Sequence, residues 1–388
     1  MPNDRGELRK FLAPEFVFGA GARHLAGRYA RHLGATRVLL VSDPGVVRAG
    51  WTGQVVESLQ AEGLAHALVT AVSPNPRDAE VMAGAAVYRS EACDVIVAIG
   101  GGSVMDCAKG IGIVVSNGGH ICDYAGIDAV PAPMPPLLCV PTTAGTSADV
   151  SQFAIINHVA EAVKIAVVSK AVVPDLALID PEPLRSMSPY LSACTGMDAL
   201  CHAVEAFVSN AHSPMTDLHA LEAIRLVGAT LERSVAQPDD LSLRTQMMLA
   251  SLQAGLAFSN ASLGAVHAMA HSLGGFKDLP HGECNALLLP HVIGYNFPAV
   301  PERYRKIAEV LGCEGSSGAS DEELRRRVVD RVDALRQACG IRGGLGERGV
   351  RADDVPRLAS KALSDPCNAT NPRPPGQRDL EVVFGEAL

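Results

Sequence analysis

The sequence predicts an α/β domain built on a parallel sheet, followed by an all-α domain. Three observations carry this. Short apolar runs alternate with helix-periodic stretches as far as about residue 181, the pattern of βαβ units. From about Pro183 the strand signals fade, and long amphipathic or buried helices continue almost to the C-terminus. The chain has 388 residues, enough for two cores without cross-links. A boundary is therefore expected near residue 185, giving domains 1–185 and 186–388.

In chain order, RVLLVSD (Arg37 to Asp43) is an apolar run ending in polar residues, and Ala65 to Val72 and DVIVAIG (Asp94 to Gly100) look similar. PLLCVPTT (Pro136 to Thr143) and DLALIDP (Asp175 to Pro181) read as further strands. Between them, GWTGQVVESLQAEG and RDAEVMAGAAVYRSEA carry helical periodicity. Gly19-Ala20-Gly21 precedes a helix start, but only the short aromatic EFVFG lies before it, so it reads as a β-turn. Near the C-terminus, SDEELRRRVVDRVDALRQACG keeps an apolar stripe of Leu324, Val328, Val332 and Leu335, which predicts a surface helix with a solvated face.

Hydrophobic residues make up 48% of the chain, so much of it should be buried, yet no apolar run reaches the ~18 residues of a membrane span. A net charge of −9 argues against nucleic acid or an anionic membrane as partner. MPNDRGELRKFLAPEF has no apolar h-region, so no secretory leader is expected. The ten cysteines form no CxxC pair, which suits reduced thiols in the cytoplasm.

After the strand ending at Ile99 comes GGGSVMDCAKGIGIVV, in which glycines and a serine open a helix. Glycines admit close approach of a ligand to the backbone, and the free N–H groups of a helix start favour a pyrophosphate. The turn departs from the G-x-G-x-x-G fingerprint, because Met105 stands where its last glycine belongs; by itself it also fits a plain turn. Asp43, at the end of the first clear strand, can hold an adenosine ribose and repel a 2′-phosphate, favouring NAD over NADP, or can cap the helix that follows. Thr142, Thr143, Gly145 and Thr146 in PTTAGTSADVS form a second hydroxyl- and glycine-rich turn suited to the nicotinamide half of a dinucleotide.

In the second half, Asp198 and His202 stand four apart in TGMDALCHAVEAF, on one face of a helix. His267 and His271 are also four apart, and His281 follows a proline after a short glycine-containing loop. A carboxylate with three imidazoles is a donor set for a divalent transition metal. The spacing leaves open whether His267 and His281 bind with His271 as a neighbour, or the reverse. It also leaves Thr195-Gly-Met-Asp198 readable as a capping box. His291, in an apolar stretch, reads as structural.

GGGSVMDCAKGI, PTTAGT, GMDALCHAVEAF and NASLGAVHAMAHSLGGFKDLPHGECNALLLPH together resemble the iron-containing (group III) alcohol dehydrogenase family, from about residue 11 to the TNPRP segment. The resemblance implies a dehydroquinate synthase-like fold: an N-terminal dinucleotide-binding α/β domain, a C-terminal all-helical metal-binding domain, and an active site in the cleft between them. It implies Asp198, His202, His267 and His281 as metal ligands and leaves His271 beside substrate and nicotinamide, as a candidate proton carrier or a packed imidazole. It places Gly101, Gly102, Ser103 and Asp106 on the cofactor phosphates and nicotinamide side, Asp43 on the ribose and Asn75 on the adenosine side. Thr142, Thr143, Ser151 and Lys164 complete the cofactor site. Many members read GTGSEVT where this chain has GTSADVS; Ser151 keeps a hydroxyl, whereas Ser147 replaces a glycine.

The activity implied is NAD-linked interconversion of a short primary alcohol and its aldehyde, with Fe(II) the family's metal and Zn or another divalent cation also suited to these ligands. A homodimer or higher homo-oligomer is expected. GTSADVSQFAII also resembles a regulatory branch of the family linked to ethanol metabolism, which makes a low-turnover sensor the alternative. NAD-assisted elimination on an anionic substrate fits less well. Only Arg225, Arg233, Arg244 and Lys277 are basic between Asp198 and His281, and the pocket candidates Phe153, Phe258 and Leu263 are apolar.

Overall fold

The computed structural model describes residues 10–161, 163–316 and 318–388; part of the segment read above for a leader lies outside them. Among the described residues the first half forms nine strands: β1 Glu15–Phe18, β2 Arg37–Val41, β3 Ala65–Val69, β4 Val95–Gly100, β5 Gly126–Ile127, β6 Leu137–Pro141, β7 Phe153–His158, β8 Val163–Val168 and β9 Leu176–Ile179. Five helices intervene: α1 Ala26–His32, α2 Pro44–Arg48, α3 Trp51–Ala61, α4 Asp78–Ser90 and α5 Gly102–Asn117. The second half is helical: α6 Pro189–Val208, α7 Pro214–Ala236, α8 Leu241–Ala261, α9 Ala265–Lys277, α10 His281–Asn296, α11 Pro301–Val310, α12 Asp321–Ala338, α13 Val355–Leu363 and α14 Gln377–Glu386.

The main sheet runs β1-β9-β6-β4-β2-β3, with every pairing parallel. Its strands read as apolar runs because both faces are covered. Alternate residues serve opposite cores: Val38, Leu40, Val95 and Val97 pack towards Val55 and Leu59, while Leu39, Val41, Ile96 and Ala98 pack towards Val104 and Ile111. Each such side chain, fully buried, contributes about 1.5–3 kcal/mol relative to exposure. From β2 the chain passes to β3 on one side; β4 and β6 then build outward on the other. The strand order thus reverses between β2 and β4, the position at which open α/β sheets bind ligands beyond the strand ends.

Two features depart from the sequence expectations. EFVF is a strand, β1, paired in parallel with β9 at the sheet edge, although the Gly19-Ala20-Gly21 turn after it stands, with Gly21 at φ 81°. A second sheet, β5-β8-β7, arises from residues to which the sequence reading assigned no strand, and β7 and β8 form an antiparallel hairpin from Phe153 to Val168. The charge-rich segment forms α12, with Leu324, Val328, Val332 and Leu335 buried as the stripe predicted.

Candidate active site

Helix α6 starts at Pro189 under a Ser188 cap, so Thr195 and Asp198 lie inside it and the capping-box reading of that window is wrong. Thr195 instead donates to Leu191 O (3.0 Å). Asp198 and His202 then project one turn apart from a helix that is buried along most of its length. His267 and His271 come from α9, and His281 is the first residue of α10, immediately after Pro280.

The Nε2 atoms of His202, His267 and His281 lie 3.9, 3.9 and 3.8 Å from Asp198 Oδ1. His202 Nδ1 meets Gly145 O (3.1 Å), and His267 Nδ1 meets the carboxylate of Glu205. With Nδ1 as the donor in each pair, the Nε2 lone pairs are left facing Asp198. Burial holds these imidazoles neutral: His202 is pushed down to about 4, His267 to about 3, and His281 well below its usual value. Around them stands Asn285, whose Nδ2 donates to Asp198 Oδ1 (2.6 Å) and whose Oδ1 is buried without a partner. The same Nδ2 stands 3.2 Å from the Nε2 atoms of both His267 and His281. A carboxylate and three imidazole Nε2 atoms converging in one place are the donor set a divalent metal requires, so the residues fit such an ion.

Glu205 was not singled out from the sequence. It follows Asp198 by seven residues, two turns along the same helix face, and that spacing was the available signal. Fully buried, its carboxyl is pushed up to about 7 by desolvation, against the opposing pull of the Val266 amide, which donates to Oε1 (2.7 Å). His271 stands outside the converging set: its ring stacks on His281 (5.3 Å between centroids), and its Nδ1 bonds Asp365 Oδ2 (2.8 Å). Asp365 also lay beyond sequence reasoning, 94 residues from its partner. Burial would raise its carboxyl, but His271 and the Cys367 amide outweigh that and bring it to about 2.

Six of the ten predicted cofactor residues line the same cleft; Asp43, Gly101, Thr142 and Thr143 are not in its lining. Asn75, Gly102, Ser103, Asp106, Ser151 and Lys164 line it together with the five metal-side residues Asp198, His202, His267, His271 and His281. Helix α5 opens at Gly102, directly after β4, and the second turn closes over it. A Cβ at Gly101 would stand a tight 3.1 Å from Thr143 Cγ2, and one at Gly102 would stand 2.7 Å from Thr146 Oγ1, so a side chain at Gly102 would force the second turn to shift. Thr142 is buried and its amide donates to Gly100 O (2.9 Å), which ties the two turns together. Ser147 adopts φ 49°, the left-handed region, which accounts for the glycine common at this position in the family pattern. Its hydroxyl donates to Ser251 O (2.6 Å), an anchor that glycine lacks.

Asp43 caps α2, with Oδ1 accepting from Gly45 N (2.7 Å) and Val46 N (3.0 Å), and sits at the end of β2 beside the reversal point. Asn75 lies in the cleft, at φ 58°, where it accepts from Lys164 Nζ (2.7 Å) and donates to Asp278 across the cleft (2.9 Å). Asp106 is pushed up to about 7 by burial, against Lys109, the Ile155 amide and Lys164. Lys164 brings to the cleft a cation that the count of bases between Asp198 and His281 overlooked, although its ammonium is engaged by Asn75. Phe153, Phe258 and Leu263 line the cleft as expected, and Phe258 stacks on His202 (4.2 Å).

A glycine-lined helix start facing a buried cluster of imidazoles and a carboxylate across one interdomain cleft is the layout of a metal-assisted, dinucleotide-linked oxidoreductase. Residues 13–181 match the family model described as iron-containing alcohol dehydrogenase, and residues 192–388 match its C-terminal counterpart. The chain belongs to the iron-containing alcohol dehydrogenase family. It is 41% identical over 381 residues to the 1,3-propanediol dehydrogenase of Klebsiella pneumoniae, covering 97% of this chain and 98% of that one. It is 37% identical over 378 residues to the NAD-dependent methanol dehydrogenase of Bacillus methanolicus, covering 97% and 99%. A solved 1,3-propanediol oxidoreductase superposes with a TM-score of 0.95 at 40% identity, covering 98% of this chain and 100% of that one.

Proposed function

We propose that this chain interconverts a short primary alcohol and its aldehyde, with NAD as hydride acceptor and donor. Asp198, His202, His267 and His281 hold the divalent metal, Fe(II) by family membership. The observation that carries this reading is the convergence of three imidazole Nε2 atoms on Asp198 within the cleft that also receives the start of α5. A bound divalent cation supplies Lewis acidity towards the substrate oxygen, and NAD supplies the acceptor for the hydride.

The protein's own residues do the rest. Gly101, Gly102 and Ser103 offer an N-terminal helix turn to the pyrophosphate, and Thr142 and Thr143 cover it from the second turn. Asp43 keeps an oxygen, Oδ2, for a ribose while Oδ1 caps α2. Asp106, Ser151 and Lys164 surround the nicotinamide half, with Asn75 towards the adenosine side. Phe153, Phe258 and Leu263 exclude water and favour a small, uncharged substrate. His271 has Nδ1 committed to Asp365, so Nε2 is the atom that receives the alcohol proton and passes it on. We take residues 1–185 and 186–388 as the two domains, and we expect a homodimer or larger homo-oligomer. No described helix is long and apolar enough to cross a membrane. All ten cysteines are free thiols, and we place the protein in the cytoplasm on that account. No observation favours the low-turnover sensor.

The test is metal analysis of protein purified without oxygen, with NADH formation followed over a panel of methanol, ethanol, butanol and 1,3-propanediol. One metal per chain and turnover with at least one alcohol are expected. Metal-replete protein that forms no NADH with any of them would refute the reading.

A further inference from the structure

Lys109 is completely buried in α5, below the cleft. Taking an ammonium out of water costs several kcal/mol unless its donors are fully met. Here they are: Nζ donates to Ser151 O (2.8 Å), Phe153 O (2.7 Å) and, more weakly, Ser151 Oγ (3.4 Å). The two carbonyls belong to residues two apart and meet the same ammonium, so one amine grips the segment at two points. The residue between them faces elsewhere. Gln152 donates from its backbone amide to Ser259 Oγ (3.2 Å) and from Nε2 to Ser259 O.

Ser259 lies on α8 of the helical domain, next to Phe258. The segment Ser151 to Phe153 is thus a strap, fastened to the cofactor helix on one side and to the helical domain on the other. Phe153 at its end packs on Phe258 (5.6 Å), and Phe258 stacks on His202 (4.2 Å). The charged groups facing this ammonium are Asp106, one turn earlier on α5 and in the cleft, and the buried Asp149.

We propose that Lys109 is a positioning residue for hydride transfer: by gripping the strap it sets the height of the alcohol pocket, and of the metal ligands behind it, over the helix that carries the cofactor. A lysine that served only the core could be replaced by a methionine of similar volume at a cost in stability alone. A strap that sets the hydride path predicts a kinetic signature, because small misplacements of reacting atoms slow chemistry far more than binding. The proposal rests on the NAD-linked reading above.

The experiment compares wild type with Lys109→Met, Lys109→Gln and Gln152→Ala. It measures kcat, KM for the alcohol, NAD affinity by fluorescence without alcohol, metal content, and the isotope effect with alcohol deuterated at its reacting carbon. Lys109→Met is expected to lower kcat on the order of tenfold to a hundredfold. The isotope effect should rise, while NAD affinity and metal content stay close to wild type. Lys109→Gln, which keeps two donors without the charge, should recover part of the loss. Gln152→Ala loosens the other fastening and leaves the core lysine in place, so it should show the same signature, smaller, even if Lys109→Met does not fold. Unchanged kcat and isotope effect in Gln152→Ala and in whichever lysine variant folds would overturn the proposal. So would losses explained by NAD affinity alone. If wild type itself forms no NADH, the functional reading falls and this proposal falls with it.

Discussion

The two ends of the cleft are built from opposite materials. At the proposed metal end the work is done by ionisable side chains sunk into a helical core, two of them oriented by a partner: His202 by Gly145 O and His267 by Glu205. At the phosphate end it is done by backbone and by the absence of side chains, at Gly101 and Gly102, with hydroxyls closing over them. A small dication needs a few strong donors at fixed points, whereas an extended diphosphate needs many N–H groups and room for close approach. The metal end should therefore fail when atoms are removed, and the phosphate end when atoms are added.

The largest effect should come from Asp198→Ala. It removes the carboxylate on which three Nε2 atoms converge, so stoichiometric metal should be lost and NADH formation should fall with it, by more than the roughly 10–100-fold that an outer partner carries. Near-full metal by mass spectrometry would contradict the comparison directly. The opposite move, Gly102→Ala, inserts a methyl 2.7 Å from Thr146 Oγ1 and should cost about 1–3 kcal/mol while raising KM for NAD, with metal content untouched. An alanine variant with normal NAD affinity would mean that the helix start does not receive the cofactor.

Glu205→Gln sharpens the metal side, since it weakens a partner and leaves every ligand in place. Metal affinity should drop about 10–100-fold by competition with a chelator. Asp365→Asn tests the proton route and carries a pH signature. The folded carboxyl lies near 2, below an unfolded value of about 4. Its stabilising contribution is therefore complete above about pH 4 and is lost as pH falls towards 2. The gap between wild-type and variant urea midpoints should be largest near neutrality and should close below about pH 4. A gap that widens on acidification would reverse the assignment. The smallest effect belongs to Asp43→Asn. Asparagine caps as well as aspartate, so stability should hold within a few tenths of a kcal/mol, while discrimination against NADP relaxes. A preference for NAD that survives the change would release Asp43 from the ribose.

The centre of the main sheet was legible because β2, β4, β6 and β9 are buried on both faces and so read as unbroken apolar runs. Four-residue β1 escaped notice: it lies at the edge, half exposed, where no long apolar run is needed. The β7-β8 hairpin escaped for a related reason. Its residues are mostly half buried, and it presents polar groups such as Lys164 to the cleft, so it carries no unbroken apolar run. At the proposed metal end, spacing on helices pointed to the cluster and family resemblance named four of its members as ligands, but Asp198 had a competing local reading as a cap. Only the start of α6 at Pro189, set by the Ser188 cap, removes it. Asp365 could not be reached at all, because nothing in a run of residues reports a contact across 94 positions.

The carbonyl of Gly145 has a consequence for how such proteins can be recombined. It comes from the first domain, yet it meets Nδ1 of a histidine in the second, and the turn lies so close to α6 that a Cβ there would stand 2.5 Å from Thr195 O. Neither half is then a self-sufficient cassette. A chimera that borrows its first domain from a relative imports the carbonyl that orients His202, and it changes the proposed metal centre without altering one of the four side chains assigned to it.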